Sequence, residues 1–554
     1  MDSKRVIILL ILLLALALGL RLFMARFEND IGVDSYHYAL MGHNILEGKF
    51  DTFDPNGRRW TLPPVFPLLV ALFNLFIPNI ETAGRSASIF AGVLTCLSIF
   101  LITRHLFGDK AAIVAGFLCA ITPILTDYSE LVLTETTFAF LYGLALLFSY
   151  LTFCKPDRWY YPLLTGMMCA LMYQTKAYGL VFILFAMLVI AIGNKYKFKL
   201  GAKFLRNSIL LTLLGWVILV IPYWIFLYNY YGKFVLDGKA VGQLSRMFAY
   251  DIPEERVDPR YEGTLIQTND GKLDYAIYYN NYIKPPKPLD FAKWFVNKYI
   301  KKLIQIFWDF PTTLSYPDNI SLLNLLSIIL IGLGLFTIPL NAKHNFASIF
   351  VLLWILPYFT ILPMVFIEVR YYIPLVAVLN IFAALGALKS SDWLRSCFPM
   401  FDKHSIYRRH ALIIICLVIF IFFLPKNTLK ATHASEPDIF YNEYRVAASW
   451  IKAHYNPPPS PIIEYAHSVS FYSGAQSLQL PRADPPTLLR FARERGVKLL
   501  VLDDKFTIRR RKRPELNILF EPQRFSQEIS DLGLKLVYHD TKYYDHRLLI
   551  YELL

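Results

Sequence analysis

Residues 6–20 form an unbroken apolar run that continues past Arg21 to Leu22, Phe23 and Met24. Further apolar segments follow at approximately 84–107, 111–126, 133–154, 160–176, 178–194, 207–230, 319–340, 345–366, 371–389 and 410–425. A hydrocarbon core of about 30 Å is crossed by roughly 20 residues of helix, and backbone entering it must satisfy its own hydrogen bonds. The expected fold class is therefore a polytopic α-helical membrane protein with about 11 transmembrane helices. Composition agrees, since 55% of the 554 residues are hydrophobic and only 18% are charged, more apolar surface than a soluble domain can hide. The first run has the length of a cleaved signal peptide, but no small-x-small cleavage site follows, so it is read as a retained span.

A formal charge of +14 raises the question of nucleic acid, and the placement of the basic residues answers it. With a cytoplasmic N-terminus, the inside loops hold Arg104 and Lys110; Lys155 and Arg158; Lys195, Lys197, Lys199, Lys203 and Arg206; Lys343; and Lys389, Arg395, Lys403, Arg408 and Arg409. The short outside loop at 126–133 has no Lys or Arg and carries Asp127 and Glu130. This is the positive-inside pattern of a multi-pass protein of the cell (plasma or inner) membrane, in contact with membrane lipids and with no nucleic-acid partner. An odd number of spans puts the C-terminus outside. Cys96, Cys119, Cys154, Cys169, Cys397 and Cys416 lie in or beside apolar segments without a CxxC pair, so neither a disulfide framework nor a zinc site is implied.

The chain divides into a membrane domain, 1–430, and a soluble extracytoplasmic α/β domain, 431–554. The first external loop, about 25–83, is expected to carry two interfacial helices: one beginning near Asp34, the other opening at the proline-rich Trp60-Thr61-Leu62-Pro63-Pro64-Val65-Phe66-Pro67 and running to Ile77. A second long external loop, 231–318, is rich in Tyr, Pro and Asn, with an amphipathic helix expected at 291–310; a lid is one role it suits. In the soluble part, patterning predicts helices at 441–454, 485–495 and 525–532 and strands at 461–465, 497–502, 534–538 and 547–551, a small three-layer domain. The basic run 509–513 reads first as a solvated loop.

The chemistry concentrates at the outer ends of spans. Asp34, in Asp34-Ser35-Tyr36-His37-Tyr38, sits just past the first span; Tyr38, four residues on, shares its helical face, and Asp is also a favoured N-cap. Glu135 lies at the outer end of a span, a costly position for a carboxylate unless it faces a polar cavity, and Glu130 is a looser second acidic group. Arg85 opens a span, Lys176 sits at the junction of two, and Arg370 and Tyr371 belong to Ile367-Glu368-Val369-Arg370-Tyr371-Tyr372-Ile373-Pro374. Singly, each cation is a snorkelling residue; three on the side of two carboxylates make a less ordinary set.

In this order, an Asp-plus-Tyr motif, a Pro-rich interfacial helix, Ala83-Gly84-Arg85-Ser86-Ala87, an acidic residue at the fourth span, Thr175-Lys176 and Arg370-Tyr371-x-x-Pro374 resemble the C-type glycosyltransferases. The branch is similar to the dolichyl-phosphate-mannose protein mannosyltransferases and bacterial aminoarabinose transferases. The resemblance covers roughly 1–430, and the soluble tail also looks like those of bacterial and archaeal members. Two departures stand out. Many relatives have Asp-Glu where this chain has Asp34-Ser35, and aminoarabinose transferases place a lysine where it has Leu62.

The resemblance implies transfer of a monosaccharide from a polyprenyl-phosphate donor lipid to an acceptor hydroxyl on a protein or an envelope glycan or lipid. The departing phosphate needs little protonation, whereas the acceptor hydroxyl needs a base, a role assigned to Asp34. Arg370, with Lys176 or Arg85, would stabilise charge on the phosphate. A single displacement inverts the anomeric centre. Glu135, Tyr38, Tyr371 and Glu130 would position substrate. No cofactor is assigned; Glu135 is a candidate holder of a divalent cation, although two carboxylates do not make a diagnostic site. The alternatives are an envelope polysaccharide polymerase or ligase using a diphosphate-linked donor, and a lipid or solute transporter. A transporter places its charges near the midplane and shows repeated halves; this chain collects them at the outer rim.

Overall fold

A computed structural model describes residues 2–27, 31–53, 59–237, 265–267, 273–275, scattered positions between 293 and 304, 325–336, 345–361, 369–397, 443–465, 467–504, 507, 513–543 and 546–554. Two compact units result. The first comprises Met1–Phe27, Pro63–Gln243 and Leu289–His433; the second comprises Glu28–Leu62, Leu244–Pro288 and Ala434–Leu554.

In chain order the helices begin with α1 (Ser3–Met24), α2 (Val33–Leu46), α3 (Val65–Asn74), α4 (Ile80–Phe107) and α5 (Asp109–Ile121). Then come α6 (Pro123–Glu130), α7 (Glu135–Cys154), α8 (Tyr160–Tyr173), α9 (Phe182–Gly193) and α10 (Ala202–Tyr231), with later apolar helices at Leu325–Phe336, Asn345–Ile361 and Ile373–Cys397. Of these, α2 falls in the second unit. Among the described residues six helices are long and apolar enough to cross a membrane, or up to seven if α5 and α6 form one bent span. That is fewer than the about eleven spans expected from apolar runs. The expected span at 410–425 lies outside the described residues, as do parts of those at 319–340 and 345–366 and most of the helix expected at 291–310.

Within the described residues, two of the expected spans differ for local physical reasons. The run 111–126 is not one straight helix: Thr122 adopts extended backbone, and Pro123, which lacks an N–H, starts α6 at 55° to α5. The 160–176 run yields only fourteen helical residues before the chain turns. The proline-rich stretch gives α3, ten residues long and too short to cross, as expected of an interfacial helix.

Packing in this unit follows the rules of apolar solvent. Along α1, Val6, Leu13, Ala17, Arg21 and Met24 are buried while Ile7, Ile8, Ile11 and Leu12 face outward, the stripe that a lipid-facing helix shows. Arg21 is held inside by bonds to Ser129 Oγ (3.0 Å) and to the carbonyls of Ala17 (3.1 Å) and Ala120 (3.3 Å), the partners a buried cation requires. Helices α8 and α10 touch backbone to backbone. A Cβ on Gly215 would stand 2.1 Å from the Leu163 carbonyl oxygen.

The second unit carries short strands β1 (Thr52–Phe53), β2 (Arg59–Trp60), β3 (Leu265–Gln267) and β4 (Leu273–Tyr275), paired as two antiparallel hairpins. Its main sheet contains β5 (Ile462–Glu464), β6 (Ser477–Gln479), β7 (Leu499–Asp503), β8 (Leu534–Tyr543) and β9 (His546–Leu553) in the order β6-β5-β7-β9-β8. The first three are parallel, and β7-β9 and β9-β8 are antiparallel. Successive residues of β7 alternate faces: Leu500 and Leu502 pack with Leu488, Leu489 and Phe491 of the helix Pro485–Glu494, whereas Leu499 and Val501 pack with Ala447, Ala448 and Ile451 of the helix Glu443–His454. Helices thus cover both faces of the sheet. Arg513 of the basic run is buried against the Leu480 and Pro481 carbonyls (3.2 and 2.6 Å), not solvated.

Candidate active site

Three charged residues from separate segments meet in the first unit. Glu135 is the first residue of α7, directly after the bent 131–134 stretch that follows α6. Lys176 comes from the turn after α8. That turn is tight because the Lys176 N–H donates to the Met172 carbonyl (2.9 Å) and because Gly179 has no side chain to strike Met172, whose carbonyl carbon would lie 2.5 Å from a Cβ there. Gln174 steadies it, donating to the Leu219 carbonyl on α10 (2.7 Å) while its own carbonyl accepts the Val65 N–H of α3 (3.1 Å). Arg370 lies on a single turn, Val369–Tyr372, before the helix Ile373–Cys397.

The Lys176 Nζ donates to Glu135 Oε1 at 2.6 Å, and Arg370 Nε stands 3.8 Å from the same oxygen. The Glu135 side chain is 1% exposed, Lys176 10% and Arg370 21%, so the carboxylate is the closed floor of the cluster and the cations are its open side. Tyr371 presents its ring to both cations, with centroids 4.8 Å from Lys176 and 5.8 Å from Arg370, and Tyr178 stands 6.0 Å from Lys176. A carboxylate that fixes two cations beside aromatic faces is suited to holding an anion with an apolar or sugar portion.

Arg85 does not join this trio; it pairs instead with Glu81 one turn back in α4, at 2.7 Å, and donates to the backbone carbonyl of Glu130 at 3.1 Å. The Glu130 carboxyl is buried. Among the described residues no three His, Cys, Asp or Glu side chains gather to hold a metal ion. Glu135 fits such a role poorly, since Lys176 already occupies one of its oxygens.

Asp34 and Tyr38 lie on α2 in the second unit, Asp34 in the first turn and Tyr38 buried. Asp34 is not the N-cap, a position held by Gly32. Close by is a buried polar cluster. Glu464, at the end of β5, accepts the N–H groups of Val469 (3.0 Å) and Ser470 (2.8 Å), while Ser477 Oγ lies 3.4 Å from Glu464 and 2.5 Å from His467 Nδ1. Tyr36 and His37 face the His467 ring from α2. Burial pushes the Glu464 carboxyl up to about 7 despite these hydrogen bonds, and the same burial lowers His467 to about 4.

The signs oppose each other. Between the ordinary carboxyl range and pH 7 the folded state holds a proton on Glu464 that the unfolded chain lacks, so stability falls as pH rises. From pH 4 to 6.5 the unfolded chain holds a proton on His467 that the folded state lacks, so stability rises. The two slopes cancel where they overlap. In His467→Asn only the Glu464 slope remains, and the unit is expected to lose about 3 kcal/mol from pH 4.5 to 7. Hydrogen-exchange protection of 462–464, corrected for intrinsic rates, measures this; a variant as flat as the parent would refute the pairing.

Sequence reasoning did not single out Glu81, Tyr178, Glu464 or His467. The four-residue spacing of Glu81 and Arg85 was a usable signal. Tyr178 stands two residues from Lys176, but nothing local marks it as a neighbour of Tyr371.

A family model described as dolichyl-phosphate-mannose-protein mannosyltransferase matches residues 61–226, which include Arg85, Glu130, Glu135 and Lys176. No curated protein sequence matches the chain. Among solved structures, ArnT from Cupriavidus metallidurans bound to undecaprenyl phosphate is similar with a TM-score of 0.57 at 13% identity, covering 98% of this chain and 97% of its own. Archaeal oligosaccharyltransferase AglB from Archaeoglobus fulgidus, in complex with an inhibitory peptide and a dolichol-phosphate, is similar with a TM-score of 0.56 at 15% identity, covering 91% of this chain and 70% of its own. The family match over 61–226 and these two likenesses show that the chain has the fold of ArnT and AglB and is similar, in that segment, to the dolichyl-phosphate-mannose-protein mannosyltransferases.

Proposed function

We propose that this protein transfers a monosaccharide from a polyprenyl-phosphate donor to an acceptor hydroxyl on a protein or an envelope glycan or lipid, by one inverting displacement on the extracytoplasmic face. The observation that carries the reading is the junction of Lys176 and Arg370 on Glu135. The similar structures, ArnT bound to undecaprenyl phosphate and AglB in complex with a dolichol-phosphate, support a lipid monophosphate as the anion. Fixed guanidinium and ammonium groups stabilise charge as it develops on the departing phosphate, at no cost in reorganisation during the step. Tyr371 and Tyr178 would line the sugar or the first isoprene units. Asp34 accepts the hydroxyl proton as the new glycosidic bond forms and the sugar–phosphate bond breaks; the electron pair of that bond leaves with the phosphate. Arg85, neutralised by Glu81, is assigned the support of the 130–135 segment. On this reading 1–430 is the transferase domain, 231–318 its external loop and 431–554 an extracytoplasmic domain.

The test is a binding panel of dolichyl- and undecaprenyl-phosphate mannose, glucose and aminoarabinose with their diphosphate counterparts, with release of radiolabelled sugar followed in parallel. Selective binding and slow release of one monophosphate sugar is expected. Binding to diphosphates alone would shift the assignment to a polymerase or ligase, and binding to none would shift it to a transporter.

A further inference from the structure

Helix α2 is clasped by the C-terminal domain at both ends of its first turn. Before the helix, the Ile31 N–H donates to the Tyr472 hydroxyl (2.9 Å) and the Ile31 carbonyl accepts from Ser468 Oγ (3.0 Å). Within the helix, Tyr36 is 3% exposed and lies flat on the His467 ring, with centroids 5.4 Å apart and planes at 18°, while the Phe471 ring meets it edge-on at 5.8 Å. His37 adds a second ring against His467 at 5.4 Å. Asp34 stands between these two fastenings.

The holding side is itself braced. His467 is fully buried in left-handed backbone (φ 62°), a conformation costly for a residue with a Cβ, and its ring is fixed by Ser477. The short helix Ser468–Ser473, which supplies Ser468, Phe471 and Tyr472, is anchored through its first N–H groups to Glu464 at the end of β5. A continuous set of contacts therefore runs from the central sheet to the turn that bears Asp34.

We propose that His467 is a positioning residue: with Tyr36 it forms a joint through which the C-terminal domain sets the orientation of Asp34. This rests on the reading of Asp34 as the base. A carboxylate displaced by about 1 Å costs on the order of 100-fold in rate while leaving remote donor contacts intact. The joint thus governs turnover rather than donor affinity.

The experiment uses the full chain in lipid nanodiscs with tritiated dolichyl-phosphate mannose as the donor probe. It combines kcat, donor KM and hydrogen exchange over 33–38, with 499–503 as the fold control. His467→Asn keeps a side chain tolerant of left-handed backbone and able to hydrogen-bond, but removes the ring. It and Tyr36→Leu are expected to lower kcat about 10- to 100-fold. Donor KM should stay within about twofold, and exchange at 33–38 should quicken while 499–503 is unchanged. Tyr36→Phe keeps the stack but loses the bond between the Tyr36 hydroxyl and the Ser477 backbone, and its kcat should fall between those of Tyr36→Leu and the parent. Unchanged exchange at 33–38 would overturn the joint; quickened exchange with unchanged kcat would overturn the positioning role. Should His467→Asn lose protection at 499–503, Tyr36→Leu decides, since it lies outside the sheet. If Asp34→Asn turns over normally, the base assignment and the positioning role fall together, while exchange still reports whether the joint exists.

Discussion

Asp34→Asn is expected to lower sugar transfer by roughly 10²- to 10⁴-fold while leaving donor binding intact. Asparagine keeps the size and a hydrogen-bonding oxygen but cannot accept the proton, so α2 stays folded and the chemical step alone suffers. Arg370→Ala gives the contrasting result: donor affinity falls by about 10- to 100-fold, the worth of a charge-assisted contact to phosphate. Binding titration alongside single-turnover transfer separates the two. Unchanged turnover in a folded Asp34→Asn would remove the base from the mechanism, and unchanged donor affinity in Arg370→Ala would remove the phosphate contact.

Substitution at Glu135 acts on both stability and binding. Glu135→Ala withdraws the carboxylate shared by Lys176 and Arg370 and is expected to cost about 3 kcal/mol, the low end for a broken buried pair because both cations reach solvent. Donor affinity falls with it, since the cations lose their fixed spacing. Glu135→Gln retains an acceptor oxygen for Lys176 and should fall between the alanine variant and the parent. Thermal unfolding and donor titration check both; a Glu135→Ala protein with parental midpoint and affinity would show that the cations are held by something else.

Much of this was legible in the chain. Apolar runs located α1, α4, α7 and α10, and the prolines at 63, 64 and 67 marked α3 as a helix too short to cross. Alternation and capping signals located three helices and four of the five strands of the main C-terminal sheet, but missed the short helix Ser468–Ser473 and β6. Glu135, Lys176 and Arg370 were legible within a larger set that also held Arg85 and Asp34, because charge at a span end is expensive and therefore noticeable. The rest depended on distance in sequence. The grouping of α2 with a domain more than four hundred residues later is invisible to local patterning, as is the stacking of Tyr36 on His467, 431 residues away, because neither residue looks unusual where it stands. The bend at Pro123 had a clear local cause, yet a continuous apolar run masked it.

Arg21 bears on how the molecule is made. It enters the bilayer with the first helix, but Ser129, which takes its Nε–H, is synthesised 108 residues later. A nascent chain ending before α6 has the Ala17 and Ala120 carbonyls to offer this cation but not yet Ser129. The hydrogen bonds of Arg21 are complete only once α6 has been made. The finished bundle conceals the charge, Arg21 being 1% exposed.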